Sequence, residues 1–192
     1  MNIADRIWIT YKCRMIAHTR YKRYYHFFEY LLVYYALFPV AFSIINLRTD
    51  SQPVNIAAVV ASVIVLVLSV FLSAQKFFEK GEGYKSCYIQ LQRLYQQIQH
   101  SPSGGPDSGV QDEAKISDQY HSILELSDNH SPFDYLTLKI QKRKTATKDK
   151  TVEEVTTLDW VQYYWHFLYV SLGIAVAFLL PIAGSFLLKS LG

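Results

Sequence analysis

No Asp, Glu, Lys or Arg occurs between Glu29 and Arg48, between Asp50 and Lys76, or between Asp159 and Lys189. A helix that crosses the hydrocarbon core of a bilayer needs roughly 20 mostly apolar residues. Three charge-free blocks of that order in a chain of 192 residues leave little sequence for a water-soluble core. The 51% hydrophobic content is concentrated in these blocks, not spread at a helical or strand period. The fold class that follows is an all-α membrane protein. Residues 29–75 form a transmembrane hairpin, with spans at about 30–46 and 54–73. Residues 160–188 are expected to form a third span, a helix lying flat on the membrane being the alternative. The first block begins too far from the N-terminus for a secretory signal peptide, so the hairpin is expected to be retained.

Charge placement gives the orientation. Of the 19 Lys and Arg residues, all but Arg48 and Lys189 fall in the first 28 residues or between Lys76 and Asp159. Basic residues near spans stay on the cytoplasmic side, which places the N-terminus and residues 76–159 there in a multi-pass membrane protein. A net charge of +3 is too small to argue for general nucleic-acid binding. Cys13 and Cys87 both fall on the reducing side, so free thiols are expected.

Residues 1–28 read as a basic amphipathic helix, with Ile3, Ile7, Tyr11, Met15 and His18 at spacings of three and four and Arg14, Arg20 and Arg23 among them. Tyr21, Tyr24, Tyr25, Phe27 and Phe28 before the first span, and Trp160, Tyr163, Tyr164 and Trp165 before the third, suit interfacial aromatic belts. Within 76–140, two amphipathic stretches are expected to pair as a cytoplasmic helical hairpin or small bundle. One carries Tyr84, Cys87, Leu91, Leu94 and Ile98; the other begins near Asp112 and carries Ile116, Tyr120, Ile123 and Leu124. Gly81 and Gly83 mark a hinge or a weak spot. Residues 101–109, rich in Gly, Ser and Pro, form a flexible connection. Residues 141–159 read as a linker, its basic run 142–150 a mobile link suited to anionic lipid headgroups, with a nucleotide or nucleic acid as the alternative.

Ser127 to Tyr135 holds the densest polar chemistry. A catalytic triad needs members that converge in space, which one short segment rarely allows. The spacing suits a helix start better: Ser131 as N-cap, Pro132 at the first helical position and Asp134 three residues after the cap. His130 has no nearby partners with metal-ligand spacing, so neither a metal nor another cofactor is expected. In the second span Asn55, Ser62 and Ser69 recur every seven residues, with Ser73 one turn on. Such a stripe serves close helix packing or the lining of a pore. No ionisable group lies inside a span, which argues against a proton relay.

The order of these features, ending in Tyr120-His-Ser-Ile-Leu-Glu-Leu-Ser-Asp-Asn-His-Ser-Pro-Phe-Asp-Tyr135, resembles the SLATT family of bacterial defence effectors over roughly residues 5–140. The resemblance rests on Asn129-His130 followed by Asp134-Tyr135, preceded by Ile123-Leu124. It implies a non-enzymatic, homo-oligomeric effector of the inner membrane that opens a pore during abortive infection. Tyr120, Leu124, Asn129, His130, Asp134 and Tyr135 would be structural or regulatory, and Asn55, Ser62, Ser69 and Ser73 would line the pore. It also implies a signalling partner, such as a nucleotide-second-messenger synthase or a reverse transcriptase with its nucleic acid. The third apolar segment departs from the minimal two-span pattern. A passive anchor that recruits a soluble partner through its cytoplasmic helices is the alternative.

Overall fold

The computed structural model describes residues 2–49, 52–100, 108–125, 128–145 and 154–191. These form α1 (Ile3–Thr49), α2 (Gln52–Gln75), α3 (Phe77–His100), α4 (Ser108–Leu124), α5 (Pro132–Thr145) and α6 (Thr157–Leu191), with no strand among the described residues. Three helical stretches are long and apolar enough to cross a membrane. The chain divides into two compact units, Met1–Lys22 with Phe77–Tyr163, and Arg23–Lys76 with Tyr164–Gly192.

The first unit is a helical bundle. Tyr84, Cys87, Leu91 and Leu94, spaced by three and four on α3, are buried, and Ile7 of α1 and Tyr120 of α4 close over them. Ile3, Tyr11, Ile98, Ile116, Ile123 and Leu124 pack around this core. Burying a single large apolar side chain contributes about 1.5–3 kcal/mol, so this small cluster is enough to hold three helices together. The expected α3 and α4 hairpin is present, but it has a third wall that periodicity did not indicate. The apolar face of the first residues of α1 is turned to protein. Tyr21, expected in an interfacial belt, stacks instead on Tyr84, with ring centroids 5.3 Å apart and planes inclined by 27°. Gly81 is buried in α3, where an added Cβ would meet only the Cβ of Tyr21 at 3.6 Å, an ordinary contact.

Three boundaries differ from the sequence reading. α1 runs without a break through residue 28, the boundary set between the amphipathic helix and the hairpin, and through Pro39. Its 47 residues exceed the roughly 20 that a span needs, so one helix carries both the amphipathic stretch and the first apolar segment. α4 starts at Ser108, a turn before Asp112. α5 continues to Thr145, so the first part of the basic run is helical; Lys142, Arg143 and Lys144 lie in a last turn whose free carbonyls favour cations. Residues 101–107 and 146–153, and with them most of the expected flexible connection and link, lie outside the described residues.

The second unit holds the three apolar segments. Phe28, Leu31 and Leu32 of α1 face Leu68, Phe71 and Leu72 of α2 across an apolar groove. Tyr34 and Tyr35 of α1 reach α6, their hydroxyls donating to the carbonyls of Phe178 at 2.9 Å and Ala177 at 2.8 Å. The second bond has a specific cause. Pro181 has no N–H, so the carbonyl four residues earlier, Ala177, lacks its helical donor. In lipid no water replaces it, and the Tyr35 hydroxyl does. Large side chains of α2 and α6 stay exposed in the single chain, among them Trp165 at 69% and Tyr169 at 72%.

Between α2 and α3 the helix path breaks at Lys76, whose φ is +52°. Left-handed backbone costs a residue with a Cβ roughly 1–2 kcal/mol. Glycine largely escapes that cost. Lys76→Gly is therefore expected to be more stable than Lys76→Ala by about 1 kcal/mol. Thermal unfolding of the two variants in the same detergent checks this; equal midpoints would remove the strain argument.

Candidate functional site

The segment joining α4 to α5 is fastened to the first part of α1 and to α3. On α1, the Thr10 hydroxyl donates to its own helix at the Arg6 carbonyl, 2.9 Å, so the 2.9 Å contact with Tyr120 is a bond that the tyrosine donates. One turn on, Arg14, only 2% exposed, donates through Nη1 to the Asp128 carbonyl at 2.8 Å, with its guanidinium 5.9 Å from the centre of the Tyr84 ring. Tyr84 donates its hydroxyl to the Asn129 carbonyl at 3.0 Å. Burial above all, then Tyr21 and Asp128, pushes that phenol up to about 12, which keeps it a donor at any physiological pH.

Arg20 completes the fastening. Its Nε and Nη2 reach Oδ1 and Oδ2 of Asp134 at 3.0 and 2.9 Å, a two-pronged pair in which the carboxylate is fully buried. Asp134 Oδ2 also accepts the backbone N–H of Ser131 at 2.9 Å, while Ser131 Oγ accepts the N–H of Phe133 at 3.2 Å. This is a reciprocal helix cap, and its acidic member is held by a different helix. Arg14 and Arg20 lie six residues apart, about 9 Å along α1, matching residues 128 and 134 of the docked segment.

The start of α6 repeats the device. Thr156 Oγ1 accepts the Asp159 N–H at 3.3 Å, Asp159 Oδ2 accepts the Thr156 N–H at 3.0 Å, and Lys139 of α5 reaches the same oxygen at 3.0 Å. The hydrogen bond from Lys139 leads the interactions that hold the Asp159 carboxyl below its usual range. The Thr-x-x-Asp spacing ahead of the last apolar block was a readable signal for this second cap.

His130 lies in the fastened segment, its backbone N–H donating to Asn129 Oδ1 at 3.0 Å. Its Nδ1 is buried without a hydrogen-bond partner among the described residues. Burial, then Arg14, lowers its pKa, with Asp134 opposing. A histidine held below its unfolded value binds fewer protons when folded, so its contribution is present above the unfolded pKa and lost as pH falls through the folded value. Thermal stability is accordingly expected to fall on acidification from pH 7 to 5, and less steeply in His130→Gln. An unchanged slope would show that other groups set it.

His18 and Cys13 add to the same bundle. A carbonyl only accepts, so the 2.9 Å contact of His18 Nδ1 with the Gly81 carbonyl fixes Nδ1 as the protonated nitrogen. Burial, then Asp134, pushes the Cys13 thiol up to about 12. Cys87 points its thiol at the Ile123 carbonyl at 3.5 Å. No group of three His, Cys, Asp or Glu side chains that could hold a metal exists among the described residues.

Of the residues singled out by sequence, Tyr120, Asn129, His130 and Asp134 thus lie along one fastened segment with Arg14 and Arg20. Leu124 packs on the core, and Tyr135 and Arg23 are exposed. Thr10, His18 and Tyr84 were missed as polar partners; a basic residue and a histidine on an otherwise apolar stripe of α1 were the available signal. Asn55, Ser62 and Ser73 are exposed along α2 and Ser69 is half-buried. Ser62 and Ser69 donate to carbonyls of their own helix, Ala58 and Leu66, both at 2.8 Å.

A family model described as SMODS and SLOG-associating 2TM effector domain family 5 matches residues 2–186. No curated protein and no solved structure matches the chain. The matched range extends well beyond residue 140, where the sequence resemblance stopped, and takes in most of α6.

Proposed function

Because the chain belongs to the SMODS and SLOG-associating 2TM effector domain family 5, we propose that it is the membrane effector of a bacterial antiphage system. In this reading it sits in the inner membrane with its N-terminus and the α3 to α5 bundle on the cytoplasmic side. It oligomerises through its exposed apolar segments, and it opens a pore when a signalling partner or nucleotide disturbs the bundle. One chain offers too few spans to enclose a channel, so several copies are required.

One observation carries the reading. The segment 128–134 is fastened to α1 by Arg14 and Arg20, and α1 itself continues without interruption to Thr49. Releasing or tightening that fastening therefore acts on the helix that also carries the first apolar segment. The asparagine and serine stripe of α2 is the proposed pore lining.

A voltage-sensitive dye in cells induced to express the chain provides the test. Depolarisation on triggering is expected, and Arg20→Gln should depolarise cells at a lower trigger dose. Protein present in membranes with no depolarisation under any trigger would sink the pore reading. The back-bonded hydroxyls of Ser62 and Ser69 favour a second reading, a passive anchor, because they do not need water. Alanine at both positions leaves function intact if the chain is an anchor, and alters conductance if it is a pore.

A further inference from the structure

Lys12 of α1 and Lys142, Arg143 and Lys144 of α5 are among the cations of the first unit that have no ion-pair partner among the described residues. Lys12, Lys142 and Lys144 rest on aromatic rings. Lys142 Nζ lies 4.3 Å from the Trp8 ring centre, with Lys12 Nζ 5.8 Å from the same ring. Lys144 Nζ lies 5.5 Å from the Trp160 ring centre and 5.8 Å from that of Tyr163. Tyr163 is itself stacked on Phe133, centroids 6.0 Å apart with planes inclined by 10°. An aromatic face orients an ammonium without neutralising it. The nearest acidic candidate on α6, Asp159, is already engaged by Lys139. The result is a set of positioned positive charges without an ion-pair partner among the described residues.

Trp160 and Tyr163 occupy the first two turns of α6, at the start of its apolar stretch, where Leu158 and Val161 are also exposed. Tryptophan and tyrosine at the end of an apolar segment sit at headgroup depth. A cation seated on such a pair is therefore at the level of lipid phosphates. We propose that Lys142 and Lys144, on the platform of Trp8, Trp160 and Tyr163, form a headgroup site for anionic phospholipid at the start of α6. A charged platform whose Trp160 and Tyr163 share two helical turns with the exposed apolar side chains of Leu158 and Val161 fits a lipid, which has both a phosphate and an acyl chain. A single-stranded nucleic acid would use the charge and rings but leave those apolar side chains unused.

Tryptophan quenching of the full chain in mixed micelles tests this, with brominated phosphatidylglycerol against brominated phosphatidylcholine. Preferential quenching by the anionic lipid is expected. Each lysine near the surface is worth about a fivefold change in affinity, so Lys142→Gln with Lys144→Gln should reduce the preference roughly 25-fold. Quenching by phosphatidylcholine should stay unchanged, and the double arginine variant should keep the preference. Equal quenching by the two lipids in the parent chain, or a preference untouched by the glutamines, would overturn the site. Lysine-dependent binding of a single-stranded RNA oligonucleotide without lipid preference would overturn it in favour of nucleic acid. The lipid readout is independent of whether the chain conducts ions, so this proposal and the pore can fail separately.

Discussion

Arg20→Ala is expected to lower the stability of the bundle by about 3–5 kcal/mol, the cost typical of leaving one member of a buried ion pair unpaired. Asp134 is fully buried and receives two bonds from the guanidinium. With Arg20 gone its carboxylate keeps only the Ser131 N–H among those bonds. Arg20→Lys should recover part of the loss, since an ammonium restores the charge but not the two-pronged geometry. Arg20→Ala combined with Asp134→Asn should be less unstable than the arginine change alone, because no charge is then stranded. Thermal unfolding of the four chains in one detergent reads all three comparisons. An Arg20→Ala chain within about 1 kcal/mol of the parent would mean that the pair is solvated and not a fastening.

Tyr35→Phe is expected to cost about 1–2 kcal/mol, at the upper end for hydrogen bonds between membrane helices. The reason for the upper end is Pro181, which leaves the Ala177 carbonyl without its helical donor, so the tyrosine hydroxyl is the bond that satisfies it. Pro181→Ala restores the N–H. In the Pro181→Ala background, Tyr35→Phe should therefore cost only a few tenths of a kcal/mol. Steric-trap or denaturant unfolding in micelles supplies the double-mutant cycle; a coupling energy near zero would show that Tyr35 and Pro181 act independently. Tyr34, whose target carbonyl at Phe178 has no proline opposite it, is the control.

The apolar segments were legible because the membrane imposes a length requirement that any reader of the sequence can apply. The α3 and α4 pairing was legible from periodicity, and the start of α5 from Ser131, Pro132 and Asp134. The partners of these elements were not. Arg20 and Asp134 are 114 residues apart, and no local pattern says which of the bases in α1 will meet which acid. Tyr21 illustrates the same limit. A tyrosine ahead of an apolar segment fits an interfacial belt, and only the position of Tyr84, two helices further along the chain, makes it a stacking partner instead. The continuation of α5 into the basic run was misread for a different reason. A polar run without apolar period looks like a linker, yet three cations in a last helical turn are favoured by the carbonyls they face.

The chain order around Arg20 carries a consequence for biogenesis. The wall that α1 gives to the bundle is synthesised before the transmembrane hairpin, and the segment it holds comes after it. At roughly 5–20 residues per second, the 114 residues between Arg20 and Asp134 amount to about 6–23 s of translation. Asp134 is absent throughout that interval, and α3 emerges only within it, after the hairpin. The Arg20–Asp134 pair is thus completed only in a chain whose hairpin has already left the ribosome, so this long-range contact forms after both apolar segments of the hairpin have been made.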